Sequence, residues 1–393
     1  MKMKNHWLLP EGIEEILPPQ AAQLEDLCRR IIDLYKSWGY QLVMPPLIEF
    51  LESLLTGTGE DLDLNTFKLT DQLSGRLMGI RADTTPQVAR IDAHNLKRDL
   101  PTRLCYLGTV LHTRPEIHGG SRSPLQVGAE LYGHQGKESD AEILCLMLET
   151  LKIAGVTGVH VDLSHAGIYQ GLVEQSRLSE EQESDLFNVL QRKAGSELQE
   201  LIKAWSLPKK NRDMFLYLIN ASGDASVFRE ANRNLAAASA KVRRCLKELQ
   251  SVAEFVQKQM PEAPLYFDLA ELRGYHYHTG IVFAAYVPGT GQGIAFGGRY
   301  DDIGHAFGRA RPATGFSTDI KTLLALGSLP NTEQKGIYAP CKNDPALLKM
   351  INKLRCAGEI VISELPGQSG KAKDMGCDRK LVRRDGVWKV VKL

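Results

Sequence analysis

A block of helical pattern separates two strand-rich parts of this chain and limits the folds that the chain can adopt. From about residue 166 to 260, stretches such as LSEEQESDLFNVLQRK carry apolar residues at helical spacing, and strand patterns disappear. Short runs before and after this block, such as VHVDLSH (159–165) and IVFAAYV (281–287), predict strands. We interpret the block as a helical insertion between two parts of one mixed sheet.

The remaining pattern predicts an α+β fold with a largely antiparallel sheet flanked by helices. Residues 20–38 and 139–155 predict helices, while YQLVMPPLIEF, RLCYLGTVLH and SPLQVGAELYG predict strands. GTGQG closes a hairpin between IVFAAYV and IAFGGRY. We expect one domain over 1–325, with the helical insertion at about 166–260. A small C-terminal α/β domain over 326–393 is expected to end in an Asp-Gly hairpin.

Charge and cysteine usage exclude several classes of protein. The formal net charge of the 393 residues is +1, and the isoelectric point is about 7.6. Strongly basic nucleic-acid-binding domains usually have an isoelectric point above about 9, so nucleic acid is an unlikely partner. The seven cysteines are scattered without a C-x-x-C pair, which is typical of a reducing compartment. Because IVFAAYV is far shorter than the ~20 residues of a membrane span, we expect a soluble, cytoplasmic chain without membrane contact.

Two patterns suggest specific ligands but lack the residues that those ligands need. The Gly-rich GTGQGIAFGG joins two strands and lacks the Gly-Lys-Ser/Thr of a phosphate loop, so it is interpreted as an ordinary hairpin loop. His276 and His278 lie on one face of a predicted strand and could begin a metal site, with His112 or Glu130 approaching in space. We favour a pair that lines a ligand pocket, and expect no metal and no cofactor.

Polar residues at alternate strand positions mark a second group of candidates. RADTTPQVARI is interpreted as a strand with Arg81, Asp83 and Thr85 on one face, and Gln126 and Glu130 share a face of SPLQVGAELYG. Such a face is either solvated or forms a polar pocket, because buried polar side chains need partners. The spacing alone leaves both interpretations open and names no ligand.

Several segments, taken in order over about residues 8–325, resemble the histidyl-tRNA synthetase family of class II synthetases. PEGIEEILP and GYQLVMPPLIE resemble the family's opening and first motif, and RADTTPQVARI resembles its R-P-E-G-T segment. LQVGAELYG resembles its Q-x-G-x-E strand, and LRGYHYHTGIVF resembles its histidine-specific signature. FGGRYDDI and PATGFSTDI resemble the G-G-R-Y-D segment and third motif. The resemblance implies a class II fold that dimerises through the segment around GYQLVMPPLIE.

The ATP-binding positions of that family are changed in this chain. In YLGTVLHTRPE, His112 falls near the position of the second-motif arginine, and Arg114 is the nearest guanidinium. In GFSTDIKTL, Asp319 replaces a glycine and Thr322 stands where the third-motif arginine belongs. Exchanging a guanidinium for a hydroxyl removes a fixed cation, and Asp319 adds an anion that opposes a triphosphate. The resemblance therefore implies a fold that does not form an adenylate.

The amino-acid pocket of that family is largely retained. By resemblance, Asp83, Thr85 and Gln126 receive the α-ammonium group of L-histidine, Glu130 faces the imidazole, and Arg273 takes the α-carboxylate. These pairings are chemically consistent, because a cation needs acceptors and a carboxylate needs a guanidinium. The histidine-binding residues predicted in this way are Asp83, Thr85, Gln126, Glu130, Arg273, Tyr277 and His278.

A histidine-binding synthetase fold without ATP motifs or a full anticodon-binding domain resembles the regulatory subunits of ATP phosphoribosyltransferase. That resemblance implies a non-catalytic chain that partners a short catalytic subunit at the first step of histidine biosynthesis and mediates feedback inhibition by L-histidine. No segment resembles a phosphoribosyl-diphosphate-binding loop, which agrees with catalysis on another chain. The alternatives are an active histidyl-tRNA synthetase, or another synthetase paralogue that binds RNA or protein.

Overall fold

The computed structural model describes residues 7–57, 60–115, 120–272, 274, 277–328 and 335–393, without the side chains of residues 60 and 61. The chain forms two compact units, Met1–Leu329 and Pro330–Leu393. None of the described helices combines the length and the apolar character needed to cross a membrane.

Helices and strands alternate in the first unit until a run of helices in its middle. Its helices are α1 (Gln20–Ser37), α2 (Leu51–Leu54), α3 (Glu60–Asn65), α4 (Thr85–Arg90), α5 (Lys137–Ile153), α6 (Ala166–Ser176), α7 (Glu180–Gln191), α8 (Gly195–Ala204), α9 (Lys209–Leu218), α10 (Ser226–Asn234), α11 (Ala240–Gln259) and α12 (Ile320–Leu326). A π-helical segment spans Ile91–Leu96 and a 3-10 turn spans Ile303–Phe307.

The strands of the first unit form a large sheet and a small one. They are β1 (Gln41–Leu42), β2 (Ile48–Phe50), β3 (Phe67–Thr70), β4 (Leu77–Ile80), β5 (Thr102–Thr109), β6 (Leu125–Tyr132), β7 (His160–His165), β8 (Ser222–Gly223), β9 (Leu265–Asp268), β10 (Ile281–Tyr286), β11 (Gly293–Arg299) and β12 (Ala313–Asp319). Among the described residues, the large sheet has the order β1-β5-β6-β12-β11-β10-β7-β9-β8, and the small one β2-β4-β3.

The large sheet confirms the predicted α+β class with a largely antiparallel sheet. Only the β1–β5 and β7–β9 pairs of its described strands are parallel. Helices α1, α5 and α11 pack on one face, where Leu27, Leu144 and Leu249 are buried in a common core. Full burial of each such leucine stabilises the fold by about 1.5–3 kcal/mol. A second, smaller cluster that includes Leu104 and Tyr132 packs on the opposite face.

The helical insertion predicted at about 166–260 is present as α6 to α11. The short strand β8 at its centre pairs with β9 at the sheet edge. A capping box starts α7, since the Ser179 hydroxyl accepts the N–H of Gln182 and the Gln182 side chain accepts the N–H of Ser179. The helical spacing of the apolar residues in this block therefore predicted its structure correctly.

Two predicted strands are wrong. Strand β4 ends at Ile80, and Thr85 begins α4, so Arg81, Asp83 and Thr85 do not share a strand face. Pro86 favours this helix start because the missing N–H of proline costs nothing in a first helical turn. Tyr277 and His278 lie in a turn before β10, where both backbone N–H groups bond to the carbonyl of Gly274.

The second unit is a small sheet with one helix. It contains β13 (Gly336–Ala339), α13 (Pro345–Cys356), β14 (Val361–Ser363), β15 (Cys377–Arg384) and β16 (Val387–Lys392). Its core joins α13 to one face of the sheet through Leu347, Ile351, Leu381 and Trp388. Asp385 and Gly386, with φ of 50° and 77°, form the turn between β15 and β16, as the Asp-Gly pair predicted.

Candidate functional site

The polar face of the large sheet has a floor of small residues. In strand β6, Val127, Ala129 and Leu131 point into the helix-covered core, so the alternate positions face the other side. Glu130 pairs in register with Gly315 on β12, and Gly315 pairs with Gly298 on β11. Because paired residues face the same side, the Glu130 carboxylate fits over Gly315, where a Cβ would overlap it.

Asp83 links the segment before α4 to strand β6. Its Oδ1 accepts the N–H of Thr85 at 3.1 Å and the side-chain amide of Gln126 at 2.8 Å. The Gln126 Oε1 accepts the N–H of Thr84 at 3.0 Å, which fixes the orientation of the amide. Asp83 and Gln126 line a cavity of about 440 Å³. The structure thus brings together three predicted site residues, although only Gln126 lies on a strand.

Glu130 is a buried carboxylate surrounded by hydroxyl groups. It is 1% exposed, and its Oε1 accepts the hydroxyls of Thr85 at 3.3 Å and Tyr106 at 3.1 Å. Its Oε2 accepts the hydroxyl of Tyr300. Burial raises the pKa of Glu130 to about 8, although these hydroxyls favour the ionised form. Within the described part of the chain, no Lys, Arg or His forms an ion pair with Glu130 or Asp83.

The segment after Leu272 supplies further polar groups to this face. The Tyr277 ring stacks on that of Tyr300 at 5.2 Å, and its hydroxyl is buried without a hydrogen-bond partner among the described residues. Burial and the nearby carboxylates of Asp83 and Glu130 raise the pKa of Tyr277 well above its ordinary value. His278 lines a second cavity of about 470 Å³. Arg273 lies outside the described residues, as does His276.

The two cavities meet at the same side chains. Phe296 and Gln292 line both of them, with Asp83 on one side and His278 on the other. Phe296 pairs in register with Ser317 on β12 and Ala284 on β10, whose small side chains leave room above the sheet. This face of the sheet can therefore hold a small polar molecule that contacts both Asp83 and His278.

The positions that hold ATP in class II synthetases have other uses here. The Asp319 carboxylate caps α12, accepting the N–H of Lys321 at 3.2 Å and the Thr322 hydroxyl at 2.8 Å. His112 donates from Nε2 to the carbonyl of Ala82 at 2.9 Å. Arg114 is exposed. None of the described residues that line the cavity beside Asp83 is Lys or Arg, so the cavity lacks cations for a triphosphate.

Sequence reasoning missed the residues that support Glu130. Tyr106 and Tyr300 donate to its carboxylate, and Phe296 lines both cavities. Tyr300 belongs to the FGGRYDDI segment, so the resemblance contained a signal for it. Tyr106 occupies a position of β5 whose side chain leans over Gly128, a contact that strand periodicity does not reveal.

Comparisons with known proteins now decide the family. A family model for histidyl-tRNA synthetase matches residues 12–323, and one for the ATP phosphoribosyltransferase subunit HisZ C-terminal domain matches residues 334–391. The ATP phosphoribosyltransferase regulatory subunit of Thioalkalivibrio sulfidiphilus is 59% identical and covers 98% of this chain and 97% of its own. The chain belongs to the family of ATP phosphoribosyltransferase regulatory subunits. The predicted family and non-catalytic regulatory function are confirmed.

Other members and structures agree with this assignment. The regulatory subunit of Pseudomonas fluorescens is 53% identical, with all of both chains covered. A Bacillus halodurans structure described as an ATP phosphoribosyltransferase regulatory subunit/histidyl-tRNA synthetase has a TM-score of 0.84 and 26% identity, covering 94% of this chain and 96% of that one. Histidyl-tRNA synthetase from Nostoc, at 20% identity and a TM-score of 0.78, shares the fold over 96% of this chain and 92% of its own. These likenesses confirm the class II synthetase-like fold of the regulatory subunit.

Proposed function

We propose that this regulatory subunit senses free L-histidine in the pocket on the polar sheet face. Occupancy of the pocket would control a separate, short-form catalytic subunit at the first step of histidine biosynthesis. One observation carries the proposal: the carboxylates of Asp83 and Glu130 converge without a described cation. A buried anion is costly without a counter-charge, so the pocket favours a ligand that brings cationic groups.

The groups of L-histidine match the pocket one by one. Asp83, with Thr85 and Gln126 beside it, would accept the α-ammonium group. Glu130 would accept a ring N–H, and the buried Tyr277 hydroxyl would gain a partner. Arg273 would take the α-carboxylate, a role that rests on resemblance because Arg273 lies outside the described residues.

Control of the catalytic subunit would follow from linkage. A ligand shifts an equilibrium only if it binds one conformation better than another, and such couplings typically amount to about 1–3 kcal/mol. L-histidine would therefore stabilise the less active arrangement of the hetero-oligomer. Feedback inhibition then needs no chemistry on this chain, which fits a cavity whose described lining includes no Lys or Arg.

Removing the Asp83 charge tests the pocket. We expect Asp83→Asn to raise the calorimetric Kd for L-histidine about 10- to 100-fold, since a hydrogen bond to a charged group contributes about 1.5–3 kcal/mol. The matched control is Asp26→Asn, because Asp26 lies on the exposed side of α1, where it pairs with Arg30 at 3.9 Å. Equal Kd values for all three proteins would contradict the assignment of Asp83.

Activity measurements separate sensing from synthetase chemistry. Mixed with a short-form ATP phosphoribosyltransferase subunit, the chain is expected to give an active complex that L-histidine inhibits. Histidine-dependent pyrophosphate exchange by the chain alone is expected to be absent. Pyrophosphate exchange at a rate typical of synthetases would instead support the alternative of an active histidyl-tRNA synthetase. Failure of the two chains to form a complex would contradict the proposal that the short-form catalytic subunit is the partner.

We propose that a second copy of this chain packs on the edge beside β1, as the resemblance implied. Leu42, Met44, Leu47 and Ile48 expose 42%, 81%, 42% and 40% of their surface there. Apolar side chains clustered at a sheet edge are typical of an interaction surface. Met44→Lys is expected to shift the mass measured by light scattering from dimer to monomer, whereas Leu348→Lys, at an exposed leucine of α13, is expected to leave it unchanged.

A further inference from the structure

A second cluster of reactive side chains lies on the helix-covered side of the large sheet. His165 ends β7, while Cys245 and Glu248 lie on α11. A ring nitrogen, the Sγ and a carboxylate oxygen of these three residues lie within 4.8 Å of one another. Because Val161 and Leu163 of β7 face the helix-covered core, His165 faces the same side. The cluster is therefore separate from the polar sheet face and its proposed histidine pocket.

The hydrogen bonds of His165 fix which of its ring nitrogens is basic. Nδ1 accepts the N–H of Gly167 at 3.0 Å, at the start of α6. A nitrogen that accepts carries no proton, so the proton of the neutral ring lies on Nε2. Nε2 donates to the Glu248 carboxylate at 3.2 Å. Glu248 therefore holds the ring in the tautomer that leaves Nδ1 as the base.

The sulfur of Cys245 lies beside this basic nitrogen. A Cβ placed on Gly167 would lie 2.7 Å from Sγ and 3.1 Å from Nδ1, so both atoms converge on the first turn of α6. Burial disfavours the charged ring of His165, but hydrogen bonds to Cys245 and Glu248 outweigh it and raise the pKa of His165 to about 9. The surroundings favour transfer of the thiol proton to Nδ1, which frees the Gly167 N–H to donate to the sulfur.

The cluster lines a cavity of about 1110 Å³ whose wall on α11 is rich in cations. These cations are Lys241, Arg244 and Lys247. Glu174 of α6 pairs with Lys241 at 2.6 Å. Arg244 lies 3.8 Å from Glu248, and Lys247 is exposed at the rim. The remaining charged side chains of the described lining are Lys137, Glu138, Asp140, Arg299, Asp301 and Asp302, of which Arg299 pairs with Asp140 and Asp301.

These surroundings favour a thiolate over a bound metal ion. Each ring nitrogen of His165 already has a hydrogen-bond partner, so neither can bind a metal without losing one. Cations beside the sulfur and the N-terminal end of α6 repel a metal cation, and they stabilise a thiolate. The cluster consists of a thiol, its base and the carboxylate that orients the base, which is the arrangement of an activated nucleophile.

We propose that Cys245 is a modification site that reacts with small acidic disulfides. Nδ1 of His165 takes the thiol proton, and the Sγ thiolate attacks one sulfur of the disulfide. The S–S bond of the reagent breaks as the new one forms, and the leaving thiolate takes the proton back from Nδ1. Carboxylates of the reagent would be attracted by the cations of α11. This inference goes beyond histidine sensing and does not depend on it.

Alkylation rates test whether the thiol is activated. The full chain is treated with iodoacetamide at pH 6, and peptide mass spectrometry follows each cysteine. An ordinary thiol, with a pKa near 8.5, is less than about 1% thiolate at this pH. We expect Cys245 to react at least about tenfold faster than Cys341, although Cys341 is exposed and Cys245 is buried. A rate at Cys245 equal to or below that at Cys341 would overturn the inference.

His165→Asn removes the base and keeps the helix cap. The asparagine oxygen can accept the Gly167 N–H as Nδ1 does, but it cannot take the thiol proton. We expect this variant to lose the fast reaction of Cys245 at pH 6 and to regain it only above about pH 8.5. His160→Asn, at an exposed histidine of β7, is expected to leave the rate unchanged. Fast alkylation in His165→Asn would contradict the role of His165.

Glutathione disulfide, which carries carboxylates, tests the class of reagent. We expect it to form a mixed disulfide at Cys245 that dithiothreitol reverses. Lys247→Gln is expected to slow this reaction about threefold or more and to change alkylation by neutral iodoacetamide less than about twofold. Absence of the mixed disulfide, or equal slowing of both reactions, would overturn the assignment of an acidic disulfide. A thiolate-to-metal absorption band on addition of Co²⁺ would identify a metal site and overturn the thiol interpretation.

Discussion

Replacing Gly315 by alanine is expected to abolish the binding of L-histidine, with a loss in affinity of more than about 100-fold. The added methyl group would occupy the place of the Glu130 carboxylate and would lie 2.8 Å from the carbonyl of Ala129. Glu130 would have to leave the hydroxyls of Tyr106 and Tyr300, and overpacking of this kind typically costs about 1–3 kcal/mol of stability. Titration calorimetry measures the loss of binding, and urea unfolding measures the cost in stability.

The control for Gly315→Ala is Gly195→Ala at the start of α8. A Cβ at Gly195 meets no atom within 4 Å, so this substitution is expected to leave histidine affinity unchanged. Folding of Gly315→Ala is checked by circular dichroism before binding is interpreted. If folded Gly315→Ala binds L-histidine as the wild type does, Glu130 is not part of the ligand site.

The second large effect is a pH dependence of stability that disappears in Glu130→Gln. The folded-state pKa of Glu130 is about 8, above its ordinary value of 4.5. Between these values the folded state binds more protons than the unfolded state, so the free energy of unfolding must fall as pH rises. We expect this contribution to be on the order of 3 kcal/mol between pH 5 and pH 9. The neutral amide of Glu130→Gln removes it.

Urea unfolding at pH 5 to 9 provides the measurement, and the difference between the two proteins isolates Glu130 because other titrating groups are shared. Relative to the wild type, Glu130→Gln should gain stability as pH rises. Glu181→Gln, at an exposed position in the first turn of α7, is expected to follow the wild-type profile. Parallel profiles for the wild type and Glu130→Gln would show that Glu130 ionises normally.

The ATP-binding changes have a structural reason beyond electrostatics. Asp319 accepts the N–H of Leu125 at 2.9 Å and caps α12 through Lys321 and Thr322. One side chain therefore joins β6 to the start of α12 and also places an anion at the cavity beside Asp83. The residue that opposes a triphosphate thus also stabilises the wall of the cavity beside Asp83.

Local patterns placed some of the candidate residues in the correct secondary structure and misplaced others. The four-residue spacing of Gln126 and Glu130 put both on one face of β6, because side chains alternate along any strand. The same reasoning failed for Asp83 and Thr85, since alternation of polar residues over five positions does not distinguish a strand from a loop that enters a helix. Tyr277 and His278 were misplaced for a similar reason, in a turn stabilised by the carbonyl of Gly274.

The sequence by itself determined the α+β class and the helical insertion, because these depend on periodicity and on residue type. Only the tertiary structure decided that Glu130 is buried among hydroxyls and that its carboxylate lies over Gly315. The physical reason is that the ionisation of a side chain depends on the solvent and charges around it, which here come from segments far apart in the chain.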